Sequence, residues 1–76
     1  MEISGFITNF AAQFDDTDPA EFFPGKKFRE IKEWSSLIAL SLIAMVEEEY
    51  NVDVKGDDIR TSETIEDLYT IVKSRM

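Results

Sequence analysis

An all-α fold, a small four-helix bundle with three main helices and one short one, is what this sequence predicts. Three observations carry that expectation. Apolar residues recur at helical spacing in three separate segments, capping and breaking residues punctuate those segments, and no run of alternating residues is long enough to make a sheet. With 76 residues, 43% of them hydrophobic, the chain suffices for a single domain over 1–76 with one core. It is too short for two domains or a roomy catalytic cleft.

In the first segment Ile3, Phe6, Ile7, Phe10 and Phe14 stand at offsets 0, 3, 4, 7 and 11, which predicts a helix over about residues 2–14. Asp15, Asp16, Thr17, Asp18 and Pro19 end it and supply an N-cap for a short helical turn over 19–23. Pro24 and Gly25 break the pattern again. The connection from 15 to 34 is long for so small a domain. Its Phe22, Phe23, Phe28, Ile31 and Trp34 predict that it is ordered and packs back onto the core.

The second helix is predicted over 36–50, with Ser35 as N-cap and Asn51 as stop. Ala39, Leu42, Ile43, Val46 and Tyr50 make its stripe, while Leu37, Ile38, Leu40, Ala44 and Met45 lie largely outside it. So many apolar residues mean that the helix is either central or apolar toward solvent, and the second case marks a contact surface. After a loop over 51–56, a short helix near 57–61 precedes a last one near 64–74, for which Thr61 or Ser62 can serve as cap. Ile65, Leu68, Tyr69 and Val72 share one face of that helix, and Lys73 and Arg75 suit its C-terminal dipole.

Charge and composition exclude much. Sixteen acidic against eight basic residues leave a net charge of -8 and a pI near 4.3. That sign repels the nucleic-acid backbone and anionic lipid, and attracts partners with basic patches. No cysteine and no histidine means no thiolate nucleophile, no thiolate metal site and no imidazole base, so the chain is not expected to be an enzyme. Glu2 follows Met1, and Ser4, Thr8, Asn9 and Gln13 interrupt the first apolar stretch, unlike a secretory signal. The longest apolar run is the five residues from Leu42 to Val46, far below the ~20 that span a bilayer. A cytoplasmic monomer is the expectation.

Two candidate sites stand out. Asn51, Asp53 and Gly56 match positions of a calcium-binding loop, but Lys55 brings a cation where a ligand oxygen belongs, and Ser62 stands where a bidentate glutamate should. A solvated turn with no metal is the better reading. Ser35 and Ser36 lack the histidine and the glycine-flanked turn that a hydrolytic serine needs. What remains for them is helix capping, or service as acceptor for a group attached by another enzyme, since a helix N-terminus stabilises a phosphate diester.

Those serines lie within a longer pattern. Glu33, Trp34, Ser35, Ser36, Leu37, then a helix ending Val46, Glu47, Glu48, Glu49, Tyr50 and followed by Asn51, Val52, Asp53, Val54, resembles the acyl carrier protein family. Thr64, Ile65, Glu66, Asp67, Leu68, Tyr69 is similar to the segment that opens that family's last helix. The similarity covers essentially the whole chain, with 28–72 its specific part. It implies an acyl-carrier-like bundle, modified by a phosphopantetheinyl transferase, that holds acyl intermediates as thioesters on a 4'-phosphopantetheine arm for fatty acid or polyketide-type biosynthesis. The family's D-S-L motif appears here as Ser35, Ser36, Leu37, which maps the attachment to Ser36. The departure at Ser35 removes one negative charge beside the site.

Under the same resemblance, Leu37, Ile38, Ser41, Glu47 and Glu48 form the face that meets acyl-transferring or synthase enzymes with basic docking patches. Ile38 and Ser41 replace charges there, so contact near the serine is expected to be apolar and salt-sensitive contact to come from Glu47 and Glu48. Leu42, Val46, Ile59, Ile65 and Leu68 are the expected lining of an acyl pocket, or else ordinary core. An aminoacyl or peptidyl carrier, and an unmodified helical interaction domain, are the alternatives.

Overall fold

The computed structural model describes residues 2–76, and among these it contains four α-helices and no strand. They are α1 (Ile3–Ala11), α2 (Ser36–Tyr50), α3 (Gly56–Thr61) and α4 (Ile65–Ser74), with 3-10 turns at Pro19–Glu21 and Phe28–Glu30 in the long connection. The chain is a small all-α bundle, as its periodicity indicates.

Helix α1 ends at Ala11 rather than near 14 because the backbone tightens there. Gln13 N–H donates to the Phe10 carbonyl at 3.2 Å and Phe14 N–H to that of Ala11 at 3.0 Å, i→i−3 closures that turn Phe14 into the core. A helix of nine residues without a side-chain cap is held by what it buries, here Phe6 and Phe10. Phe10 has the rings of Phe6, Phe14, Phe22 and Phe28 around it at centroid distances of 6.3, 5.6, 6.2 and 5.9 Å. The long connection is therefore docked, as expected, with Phe28 and Ile31 buried and Phe22 and Trp34 packed against them.

Phe23 departs from that expectation and is 49% exposed. Phe22 has extended backbone, so adjacent side chains point opposite ways, and with Phe22 on Phe10 and Phe14 its neighbour turns outward. The 3-10 turn Pro19–Glu21 forms where expected, with Asp18 accepting from Ala20 N–H at 2.9 Å. The second one, Phe28–Glu30, has no periodic signal. The connection is then tied to the start of α4: Phe28 N–H donates to Glu63 O, Ile65 N–H to Lys26 O and Glu66 N–H to Pro24 O, at 3.2, 3.1 and 2.9 Å.

Helix α2 begins and ends at its expected residues. Ser35 Oγ accepts from Ile38 N–H at 3.2 Å, and Asn51 closes the helix in the left-handed conformation, φ 56°, which its short polar side chain tolerates. Leu42 and Val46 are buried and Ala39, Ile43 and Tyr50 pack beside them; Met45, read as outside the stripe, is buried as well.

The segment after α2 is a turn exposed at Asn51, Asp53, Lys55 and Gly56, as expected, but it is not solvated throughout. Val52 and Val54 alternate inward and are buried. The cap of α4 also differs from the expectation. Thr64 caps it, accepting from Asp67 N–H at 3.1 Å, while Asp67 accepts from the N–H groups of Thr64 and Glu63, each at 3.0 Å. Thr61 and Ser62 are engaged elsewhere, donating to the Asp57 and Asp58 carbonyls of α3 at 3.0 and 2.8 Å.

Candidate functional site

Ser36 is the first residue of α2 and is exposed. An α-helix leaves its first N–H groups without intrahelical acceptors. Ser35 takes up the third through its Oγ, and its carbonyl receives Ala39 N–H at 3.0 Å, so the groups of Ser36 and Leu37 form the outermost rim. The first turn holds no acidic residue, which leaves the positive end of the dipole uncompensated beside the Ser36 hydroxyl.

Two contacts upstream set the position of this turn. The Trp34 ring packs on Phe28 with centroids 5.0 Å apart. Glu33 reaches across to the end of the α1 connection, where its carboxylate accepts from the N–H groups of Asp15 and Asp16 at 2.6 and 2.9 Å and from the Thr17 hydroxyl at 2.8 Å. These bonds, that to the Asp15 amide foremost, hold the Glu33 carboxyl below the usual carboxylate range. Nothing in the sequence pointed to this role. Glu33 stood in the acyl-carrier-like motif, but its partners lie 16 to 18 residues earlier in the chain.

From Ser36 one strip of α2 faces outward. Leu37 is 74% and Leu40 63% exposed, Ala44, Glu47 and Glu48 are exposed, and Ser41 is half-buried between them. Residues 37, 40, 41, 44, 47 and 48 fall on one helical face, so an apolar half begins at the serine and an acidic half ends it, about 16 Å away at ~1.5 Å per residue. Of the residues predicted to meet a partner, Leu37, Ser41, Glu47 and Glu48 share this strip. Ile38 lies to its side, half-buried against the core. Leu40 was not in the predicted set. Its signal was already present, because it falls outside the buried stripe three residues after Leu37.

The acidic half is electrostatically awkward for the helix. Glu47, Glu48 and Glu49 sit in the last turn of α2, where the dipole disfavours carboxylates, the turn has no basic residue, and among the described residues none of the three forms an ion pair. Local stability does not account for them.

Leu42, Val46, Ile59, Ile65 and Leu68, drawn from α2, α3 and α4, are all buried in a single apolar cluster. The structure thus brings the expected pocket residues together, as closed core. Among the described residues no group of acidic side chains is arranged to hold a metal ion, and Asp53 of the calcium-like segment pairs with Lys55 at 2.9 Å. No helix among the described residues is long and apolar enough to cross a membrane. Comparison with known protein families, with curated proteins and with solved structures gives no match to this chain.

Proposed function

We propose that the chain is a carrier protein whose Ser36 hydroxyl accepts 4'-phosphopantetheine from coenzyme A through a separate transferase. What carries this reading is the placement of one exposed serine at the head of an outward strip that is apolar beside it and acidic at its far end. The residues present fit the group. The Ser36 side chain is accessible, the α2 N-terminus offers N–H groups and a positive dipole to a phosphodiester, and no carboxylate in the first turn opposes it.

When attached, the arm supplies a thiol that holds an acyl group as a thioester. The chain's own residues do the rest. Trp34 on Phe28 and Glu33 on residues 15–17 keep the serine turn in place. Leu37 and Leu40 offer apolar contact next to the cargo, and Glu47 and Glu48 draw in basic surfaces and set orientation, an effect mainly on association rate. Tethering raises the cargo's effective concentration at each docked enzyme. Fatty acid or polyketide-type intermediates are the cargo class we favour, in the cytoplasm. A second reading, an interaction domain that acts without the arm, draws on the exposure of Leu37 and Leu40 alone.

Intact mass tests the proposal. Incubation with a broad-specificity transferase and coenzyme A should add one phosphopantetheine, which Ser36→Ala abolishes and Ser35→Ala does not. No increment with active transferase, or an increment that survives Ser36→Ala, rejects it.

A further inference from the structure

An open groove of about 490 Å³ lies just upstream of the serine turn, lined by Asp16, Thr17 and Glu21 from the connection after α1 and by Lys32 and Glu33 from the segment before α2. Its two walls are tied together. The Glu33 carboxylate, through its bonds to the Asp15 and Asp16 amides and the Thr17 hydroxyl, fixes the spacing of two segments that no helix holds. Ser36 stands three residues past that tie, and at ~3.8 Å between successive Cα atoms it is no more than roughly 11 Å from Glu33 along the backbone.

The lining groups differ in what they still offer. Glu33 already accepts three bonds, and Glu21 pairs with Lys26 at 3.4 Å. Lys32 and Asp16 are exposed and opposite in charge, yet among the described residues neither forms an ion pair. The Thr17 hydroxyl donates to Glu33 and keeps lone pairs with which to accept. The groove therefore combines a free ammonium donor on one segment with carboxylate and hydroxyl acceptors on the other. That combination matches a secondary amide, whose C=O accepts while its N–H donates. An ion of either sign fits less well, because it meets a like charge in the lining.

We propose that this groove is the berth of the phosphopantetheine arm when no enzyme holds it, with Lys32 donating to an amide carbonyl of the arm and Asp16 accepting from an amide N–H. The proposal rests on the carrier reading above. The arm carries two amides in a chain about as long as four extended residues, ~14 Å, which exceeds the separation of Ser36 from Glu33. Weak bonds suffice, because a short tether keeps its free end at an effective concentration in the millimolar range. The berth leads back along the chain from Ser36, whereas Leu37 and Leu40 lead forward along α2, so an arm at rest in it leaves that apolar strip open.

Backbone amide chemical shifts of the full chain, before and after treatment with transferase and coenzyme A, test the berth, with intact mass showing whether the arm is attached. Attachment should move the signals of Asp16, Thr17 and Lys32 as well as those of Ser35 to Leu37. In a chain carrying both Lys32→Ala and Asp16→Ala, the shift at Thr17 should shrink about twofold or more, because the charged donor and acceptor are gone, while the shifts at Ser36 and Leu37 persist. Signals of α4 that stay in place in this variant show that the fold is kept. Shifts confined to residues 35–38 in the parent chain, or a Thr17 shift undiminished in the double variant, would overturn the berth and leave the carrier reading standing. A missing mass increment in the parent chain would sink both.

Discussion

Around Phe10 the chain is held by rings, and around α3 it is held by guanidinium groups. At the first end Phe6, Phe10, Phe14, Phe22 and Phe28 meet α1 and the long connection in one aromatic cluster, next to which Trp34 fixes the chain two residues before Ser36. At the other, Arg29 and Arg75 tie a helix that buries one side chain. Burial is non-directional and large, and it responds little to salt. Exposed charge-assisted bonds are local, smaller and sensitive to pH and ionic strength. The first construction holds whatever the ionic strength, and the second weakens with acid and salt.

The strongest test of this contrast is Phe10→Ala. Removing a fully buried ring costs about 3–5 kcal/mol, out of roughly 4–11 for a domain of this size. Urea unfolding should show a large fall in midpoint, and a loss below about 1 kcal/mol would mean that the aromatic end is not what holds the fold. Ser35→Ala comes next, at about 1 kcal/mol for the lost cap on Ile38 N–H, with modification at Ser36 retained. A normal unfolding midpoint in that variant would show that the cap is dispensable.

Acid sharpens the comparison at the other end. The Arg75 guanidinium, and after it the Lys55 amide, hold the Asp58 carboxyl down to about 2. A carboxyl with folded pKa below its unfolded value, about 4, stabilises fully above pH ~4 and loses that contribution as pH falls through its folded value. The stability gap between the parent chain and Asp58→Asn should therefore close between pH ~4 and ~2. A gap that stays constant over that window would remove Asp58 from the acid response. Smallest is the salt effect. With a net charge of -8 and Glu47, Glu48 and Glu49 adjacent, the thermal midpoint should rise modestly with sodium chloride, and a flat or falling midpoint would contradict the self-repulsion.

Local chemistry made some of this structure legible in the sequence. Ser35 and Asn51 bracket α2 because capping is decided within four residues, and the Phe6 and Phe10 stripe survives because helical spacing alone sets it. Where the deciding contact is remote, the sequence is silent. Arg29 finds carbonyls 30 and 33 residues away, and Glu33 finds amides 17 and 18 residues away. The cap of α4 shows the same limit at shorter range: Thr61, Ser62 and Thr64 are equivalent as residue types, and the pairing of Lys26 to Phe28 with Glu63 to Ile65 selects the third. At the candidate site, the serine and the acidic end could be read directly. Leu40 could be distinguished from Ile38 only once the rotation of α2 about its axis was known.

Trp34 is the one tryptophan in the chain, half-buried against Phe28 and two residues from Ser36. Indole emission depends on the polarity around the ring, so the protein carries its own optical gauge beside Ser36. A change in that gauge on modification or docking can be followed in real time without a label, and separately from the α3 end, where the chain has no such chromophore.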